Sequence, residues 1–190
     1  MKIEDIRTII NDKINELNKI LDSIKTYDRD VNIIDCSFTS FCKILGAMNA
    51  QKKSLIIEDF MNKKLNLKRI SPSENRGDAY KDNEYIEYKF STTNESKNLN
   101  LRQIRNWQNI TGYIVGYIDY NDPDNSIIMY LTKSEMDKEI KSIGYPSHGT
   151  KESNKNNKHI EYSITININS NMMKEWRKKY EYDELYRRIK

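Results

Sequence analysis

The stretch GDAYKDNEYIEYKFS, residues 77–91, decides the fold because two β-prone runs flank a short polar turn. A two-residue turn at Asp82-Asn83 joins these runs into a β-hairpin. In the register set by that turn, Asp78 lies directly opposite Glu87. Side chains that face each other across an antiparallel pair have Cβ atoms about 4.5–5.5 Å apart. The stretch therefore predicts two neighbouring carboxylates on one hairpin.

The alternation of side chains along a strand divides the hairpin into two faces. Asp78, Glu87 and Lys89 share one face, which we expect to be an open surface. The apolar and aromatic positions between them turn the other way, against helices: Ile86, Tyr88 and Phe90. The pattern thus predicts three polar groups gathered on one side of a packed strand.

Two carboxylates in contact repel each other unless a cation lies between them. Hard oxygen ligands favour Mg²⁺, for which Mn²⁺ can substitute. An ammonium group beside such a metal, here Lys89, can orient or help deprotonate a bound water. The alternative is an ordinary exposed strand face with a Glu87–Lys89 ion pair, in a chain of which 32% is charged.

With Gly77-Asp78 followed by Glu87-Tyr88-Lys89, the chain resembles the PD-(D/E)xK nuclease superfamily, which includes many type II restriction endonucleases. Gly77 stands where the motif usually has proline, and the resemblance covers roughly residues 40–131. It implies a restriction-endonuclease-like core and Mg²⁺-dependent hydrolysis of phosphodiester bonds at specific sites in double-stranded DNA. Asp78 and Glu87 would bind the metal, and Lys89 would join them as a catalytic residue.

Glu58 is a further candidate metal ligand and catalytic residue. Members of this superfamily often supply another carboxylate from the helix that precedes the hairpin, and residues 54–60 resemble that helix. The alternative is that Glu58 is a solvated helix residue.

The rest of the chain predicts an α/β domain, a mixed β-sheet flanked by helices, whose N-terminal third is helical. Helical periodicity covers residues 3–26, 37–48 and 52–65, and the apolar stripe of the first helix is either core or a dimer seam. We expect a single nuclease domain over residues 1–190. Its parts are a helical segment (1–66), a catalytic core (67–131) and a C-terminal part with a helix, a basic loop, a strand and a last helix (132–190).

The segments after the hairpin are predicted from periodicity and capping patterns. We expect a polar helix over residues 99–110, strands over 112–120, 126–131 and 159–169, a capped helix from Thr132 to Gly144, and a final helix from residue 170 or 171. Residues 144–159 are predicted to form a loop.

Two of these segments contain candidate DNA-binding residues. Arg102, Gln103 and Arg105 lie on the predicted polar helix and have side chains suited to phosphate or base edges. The basic loop supplies a second group: His148, Thr150, Lys151, Asn154 and Lys155. The alternatives are a solvated helix face and a disordered insertion.

Composition narrows the class of protein. The chain has 190 residues and a net charge of +4, which permits nucleic acid as a partner. No apolar run approaches the roughly 20 residues of a membrane span, so we expect a cytoplasmic protein without a membrane partner. Cys36 and Cys42 lack the spacing of a zinc site and are expected to be reduced.

The leading functional hypothesis is a homodimeric restriction enzyme whose gene accompanies that of a cognate DNA methyltransferase. A structure-selective or repair nuclease, such as a junction resolvase, is the second hypothesis. The third is a non-catalytic DNA-binding protein.

Overall fold

The computed structural model describes residues 11–15, 36–71, 74, 76–147 and 160–189. Residues 11–15 are helical and exposed. The remainder of the helix predicted over residues 3–26 lies outside the described residues, so the choice between core and dimer seam stays a prediction.

Between residues 36 and 66 the chain forms two helices, as the periodicity predicts for this segment. Helix α1 spans Phe38–Ala47, and the Ser37 side chain caps it by accepting a hydrogen bond from the Ser40 N–H. Helix α2 spans Ala50–Leu65 and is capped in the same way by Asn49. Both pack against one face of the sheet, where Phe41 and Phe60 stack with ring centroids 3.9 Å apart.

The strands form two sheets. In chain order they are β1 Lys68–Arg69, β2 Ala79–Lys81, β3 Glu84–Thr92, β4 Asn98–Ile104, β5 Gly112–Ile118, β6 Ile127–Thr132, β7 Tyr145–Pro146 and β8 Tyr162–Asn167. The larger sheet has the order β1-β2-β3-β5-β6, in which β3 and β5 are parallel and the other pairs antiparallel. The smaller antiparallel sheet has the order β4-β8-β7. The coarse prediction of an α/β fold with a mixed sheet is confirmed.

The predicted helix over residues 99–110 is wrong, because residues 98–104 form strand β4. Leu99 and Leu101 alternate inward as a strand requires, and then the register with β8 shifts at a bulge. Gln103 has a φ of 52°, and Ile104 returns to the buried side. The bulge places the inward-facing Leu101 and Ile104 three positions apart. Residues on one face of a helix have the same spacing, which explains the wrong prediction.

The described residues of the C-terminal part form three more helices, α3 Lys133–Ile143, α4 Asn171–Tyr180 and α5 Asp183–Ile189. Thr132 and Glu135 form the predicted capping box of α3. Of the predicted loop, residues 145–146 form β7 and residues 148–159 lie outside the described part.

The larger sheet separates two apolar cores. The first joins α1 and α2 to Ile86 and Tyr88 of β3, and the second packs Tyr113 of β5 against β4, β8 and Trp176 of α4. Across the described segments, no helix has the length and apolar character needed to cross a membrane. The site described below lies on the β2–β3 hairpin, between these two cores.

Candidate metal centre

The hairpin has the register that its sequence predicts. Ala79 pairs with Ile86, and the antiparallel ladder closes at Asp82-Asn83, whose φ values of 49° and 66° are those of a type I′ turn. Just before β2, the Asp78 N–H donates to the Ile86 carbonyl at 2.8 Å. Asp78 therefore lies beside β3, next to Glu87.

The Asp78 side chain is itself fixed to β3. Its Oδ2 accepts a hydrogen bond from the Tyr88 N–H at 2.8 Å. Tyr88 stands between Glu87 and Lys89 on β3, so this bond joins the acid that precedes β2 to the middle of the Glu-x-Lys run.

Gly77 is required by the backbone at the entrance to β2. Its φ is 88°, in the left-handed region, and a Cβ built there would be 2.6 Å from the Ile86 carbonyl oxygen. Proline, whose φ is fixed near −65°, cannot adopt this conformation. The departure from the usual motif at this position therefore has a local structural cause.

Glu87 and Lys89 form a close ion pair, with Lys89 Nζ 2.6 Å from Glu87 Oε1. The expectation that this face is an open surface is wrong for Glu87, which is only 5% exposed. Tyr113 of β5 pairs beside Glu87, and Gln108 Nε2 donates to Glu87 Oε2 at 3.5 Å. The loop after β4 thus closes over the Glu87 carboxylate.

Glu58 of α2 belongs to the same electrostatic neighbourhood. Burial, followed by the Asp78 carboxylate, raises the pKa of Glu58 to about 7. Its side chain remains 21% exposed, and Ser54 Oγ donates to its Oε1 at 3.3 Å. The structure therefore favours a half-buried acid over a fully solvated one.

Asp78 links the three carboxylates electrostatically. Burial and the nearby Glu87 raise the pKa of Asp78, while the Tyr88 N–H and the Lys89 ammonium oppose that rise. Acids that raise one another's pKa gain stability when a cation binds between them.

Arg69 is a site residue that the sequence analysis missed. Its guanidinium donates to Asp59 at 2.9 Å and to Glu58 at 3.5 Å. The two-residue strand β1 brings it to α2, and nothing in the local pattern distinguishes it from any surface arginine. Gln108 was missed because residues 99–110 were predicted to be a helix with Gln108 on its apolar face.

Whether these residues suit a divalent cation depends on how many ligands the protein must supply. Within the described residues, no three His, Cys, Asp or Glu side chains are placed to hold one ion together. Mg²⁺ commonly uses one or two carboxylates and completes its octahedron with waters and substrate phosphates. Asp78 and Glu87 fit that requirement, with Glu58 beside Asp78.

The predicted DNA-binding residues are only partly placed. Arg102 and Gln103 are exposed at the bulge of β4, and Arg105 pairs with Glu161 at 2.8 Å. His148, Thr150, Lys151, Asn154 and Lys155 lie outside the described residues, so their role stays a prediction.

No model of a known protein family matches the chain, and no curated protein has a similar sequence.

Proposed function

We propose that the chain is a Mg²⁺-dependent endonuclease that hydrolyses specific double-stranded DNA, of the type II restriction class. The observation that carries this proposal is the hydrogen bond that holds Asp78 against Glu87-Tyr88-Lys89. It places two carboxylates and a lysine together on one hairpin, with the desolvated Glu58 alongside.

In this proposal Asp78 and Glu87 hold the metal, and Glu58 acts as an additional acid at the edge of the site. Bound Mg²⁺ would activate a water and neutralise charge that develops on the phosphate. Glu87 is already paired with the Lys89 ammonium, so a bound Mg²⁺ would share the Glu87 carboxylate with that ammonium.

Lys89 has two tasks that its position supports. Its ammonium is 2.6 Å from Glu87, so it can orient a water held near that carboxylate. It can also offset negative charge as the water oxygen bonds to phosphorus and the bond to the leaving oxygen breaks. The low exposure of its side chain, 15%, strengthens both effects by excluding solvent.

The strand arrangement also supports a restriction-endonuclease-like core. An antiparallel β1-β2-β3 unit carries the acids, and β5 adds to β3 in parallel. The connection between β3 and β5 departs from the expected core, since it contains a strand and a loop where a helix was predicted. Cutting both strands of DNA calls for two such sites, so we propose a homodimer.

The test is digestion of a mapped plasmid with Mg²⁺, with Mn²⁺ and with EDTA. We expect discrete bands from the wild type with either metal and none with EDTA. Asp78→Asn should lower the rate at least about 100-fold, because it removes a metal-binding charge. Glu95→Gln, which removes an exposed acid elsewhere, serves as the matched control.

Undiminished cleavage by Asp78→Asn would overturn the assigned site. Cleavage of branched DNA alone would favour the structure-selective nuclease. Tight, metal-independent DNA binding without cleavage under any divalent cation would favour the non-catalytic protein.

A further inference from the structure

A cavity of about 390 Å³ lies between α2, β3 and the segment after β5. Its walls include Lys53, Ser54 and Glu58 of α2, Phe90 and Thr92 of β3, and Tyr120. The volume is within the roughly 300–1,000 Å³ typical of small-molecule sites. Glu58 and Ser54 also belong to the candidate metal centre, whereas Lys53, Phe90, Thr92 and Tyr120 have no part in it.

Lys53 is the basic residue among these walls, and Glu58 is the acidic one. Its Nζ is 4.4 Å from the centroid of the Tyr120 ring, and burial lowers its pKa. Within the described residues Lys53 forms no ion pair, although the chain has 28 acidic residues. A half-buried ammonium without a carboxylate partner is suited to an anion that enters from outside.

The remaining walls suit a nucleotide better than a simple anion. Phe90 and Tyr120 offer aromatic surface on which a base or sugar can pack. The Thr92 hydroxyl can donate a hydrogen bond to a sugar or phosphate oxygen, whereas the Ser54 hydroxyl donates to Glu58 and can still accept one from a sugar hydroxyl. The walls therefore combine an ammonium, hydroxyl groups and aromatic surface with the Glu58 carboxylate.

We propose that this cavity binds one nucleotide unit of the DNA strand, with its phosphate on Lys53 and its base or sugar against Phe90 and Tyr120. Glu58 lines the cavity and is an electrostatic neighbour of Asp78. Phe90 and Thr92 project from the face of β3 opposite Glu87 and Lys89, so Glu58 is the link between the cavity and the metal centre. The placement of the bound unit next to the metal centre rests on the proposed nuclease function. Nucleotide binding at Lys53 does not depend on that function.

The experiment measures the binding of thymidine 5′-monophosphate to the full chain by calorimetry, in EDTA so that cleavage plays no part. Lys53→Gln is compared with Lys141→Gln, which removes an exposed lysine on α3. We expect Lys53→Gln to weaken binding about 10-fold and Lys53→Arg to restore most of it. Thr92→Val should weaken binding less, and circular dichroism checks that each variant is folded.

A second measurement uses a DNA duplex over a range of salt concentrations. Removing one phosphate contact should reduce the slope of log K against log[salt] by about 1 in Lys53→Gln and in no control. Thymidine without phosphate serves as the last probe, and we expect it to bind at least 10-fold more weakly than the monophosphate.

Equal monophosphate affinity in Lys53→Gln and Lys141→Gln would overturn the proposal, whether or not the wild type cuts DNA. Inorganic phosphate should displace the monophosphate from the wild type but not from Lys53→Gln. That result would support the placement of the phosphate on Lys53. If the wild type binds the monophosphate through Lys53 but cuts no DNA, the result counts against the proposed metal centre and leaves the cavity assignment standing.

Discussion

The Asp78 carboxylate accepts a hydrogen bond from the Tyr88 N–H at 2.8 Å. Tyr88 is 6% exposed, so water has little access to that N–H if the carboxylate is removed. The same carboxylate therefore holds the hairpin together and belongs to the proposed metal centre. Structural and catalytic roles at this position can be separated by choosing the substitution.

Asp78→Asn and Asp78→Ala should differ in stability. The asparagine carbonyl can still accept from the Tyr88 N–H, whereas alanine leaves that N–H unpaired. We expect Asp78→Ala to lower the free energy of unfolding by about 1–3 kcal/mol more than Asp78→Asn does. Urea denaturation in EDTA measures this difference. Equal stabilities would show that the hydrogen bond does not hold the hairpin.

Lys89→Met should slow cleavage strongly while leaving DNA binding intact. The substitution keeps the aliphatic stem and removes the ammonium that contacts Glu87. We expect a rate loss of about 100-fold or more in Mg²⁺ and little change in DNA affinity in Ca²⁺. Lys81→Met, on the same hairpin, serves as the control for charge. A Lys89→Met protein with wild-type rate would exclude the proposed role of Lys89.

The raised pKa of Glu58 should make the free energy of unfolding depend on pH in the absence of divalent cations. Its pKa is raised to about 7 in the folded chain, so the native state binds this proton more tightly than the unfolded state does. The stabilisation is complete below the ordinary value of 4.5 and is lost as the pH rises to about 7. Its size is at most about 3 kcal/mol.

Glu58→Gln should therefore flatten the fall in the free energy of unfolding between pH 4.5 and 7. Urea denaturation at several pH values in EDTA measures the slope, and Glu95→Gln is the control. Identical slopes for wild type and Glu58→Gln would contradict the buried, Asp78-coupled environment of this acid.

The parts of the site that sequence predicts are those governed by local rules. Asp82-Asn83 must adopt positive φ in a two-residue turn, and that requirement fixes the register as far back as Asp78. By contrast, the burial of Glu87 depends on Gln108, 21 positions along the chain. No periodicity within the hairpin reports such a contact.

Strand β4 shows how a local pattern can mislead. Leu101 and Ile104 are both fully buried, and their spacing of three is typical of a helix. The bulge, with Gln103 at positive φ, produces the same spacing in a strand. Only the pairing with β8, more than 50 residues away, distinguishes the two structures.

Tyr88→Phe tests the opposite face of β3. The Tyr88 hydroxyl donates to Asn62 Oδ1 at 2.8 Å, and both residues are buried. Phenylalanine keeps the packing but removes the hydrogen bond to the side-chain amide oxygen of Asn62. We therefore expect the free energy of unfolding to fall by about 1–2 kcal/mol. Tyr145→Phe removes a hydroxyl from an exposed pair with Thr165 and should cost less. If Tyr88→Phe and Tyr145→Phe lowered the free energy of unfolding equally, burial would not be what makes the Tyr88 hydrogen bond important.

Gly77→Ala should damage both the hairpin and the site. The added Cβ would be 2.6 Å from the Ile86 carbonyl oxygen and 2.9 Å from its carbon, at a φ of 88° that alanine disfavours. To relieve this clash, the backbone at residue 77 must move away from β3, and Asp78 moves with it. We expect the free energy of unfolding to fall by at least about 1–2 kcal/mol and cleavage to fall with it.

Asn83→Gly is the matched comparison for Gly77→Ala, because the φ of Asn83 is 66° and glycine accepts that conformation readily. Stability near that of the wild type is expected for this variant, with cleavage retained. Thermal unfolding and plasmid digestion measure the two properties on the same preparations. If Gly77→Ala were as stable and active as Asn83→Gly, the backbone at the entrance to β2 would not be what positions Asp78.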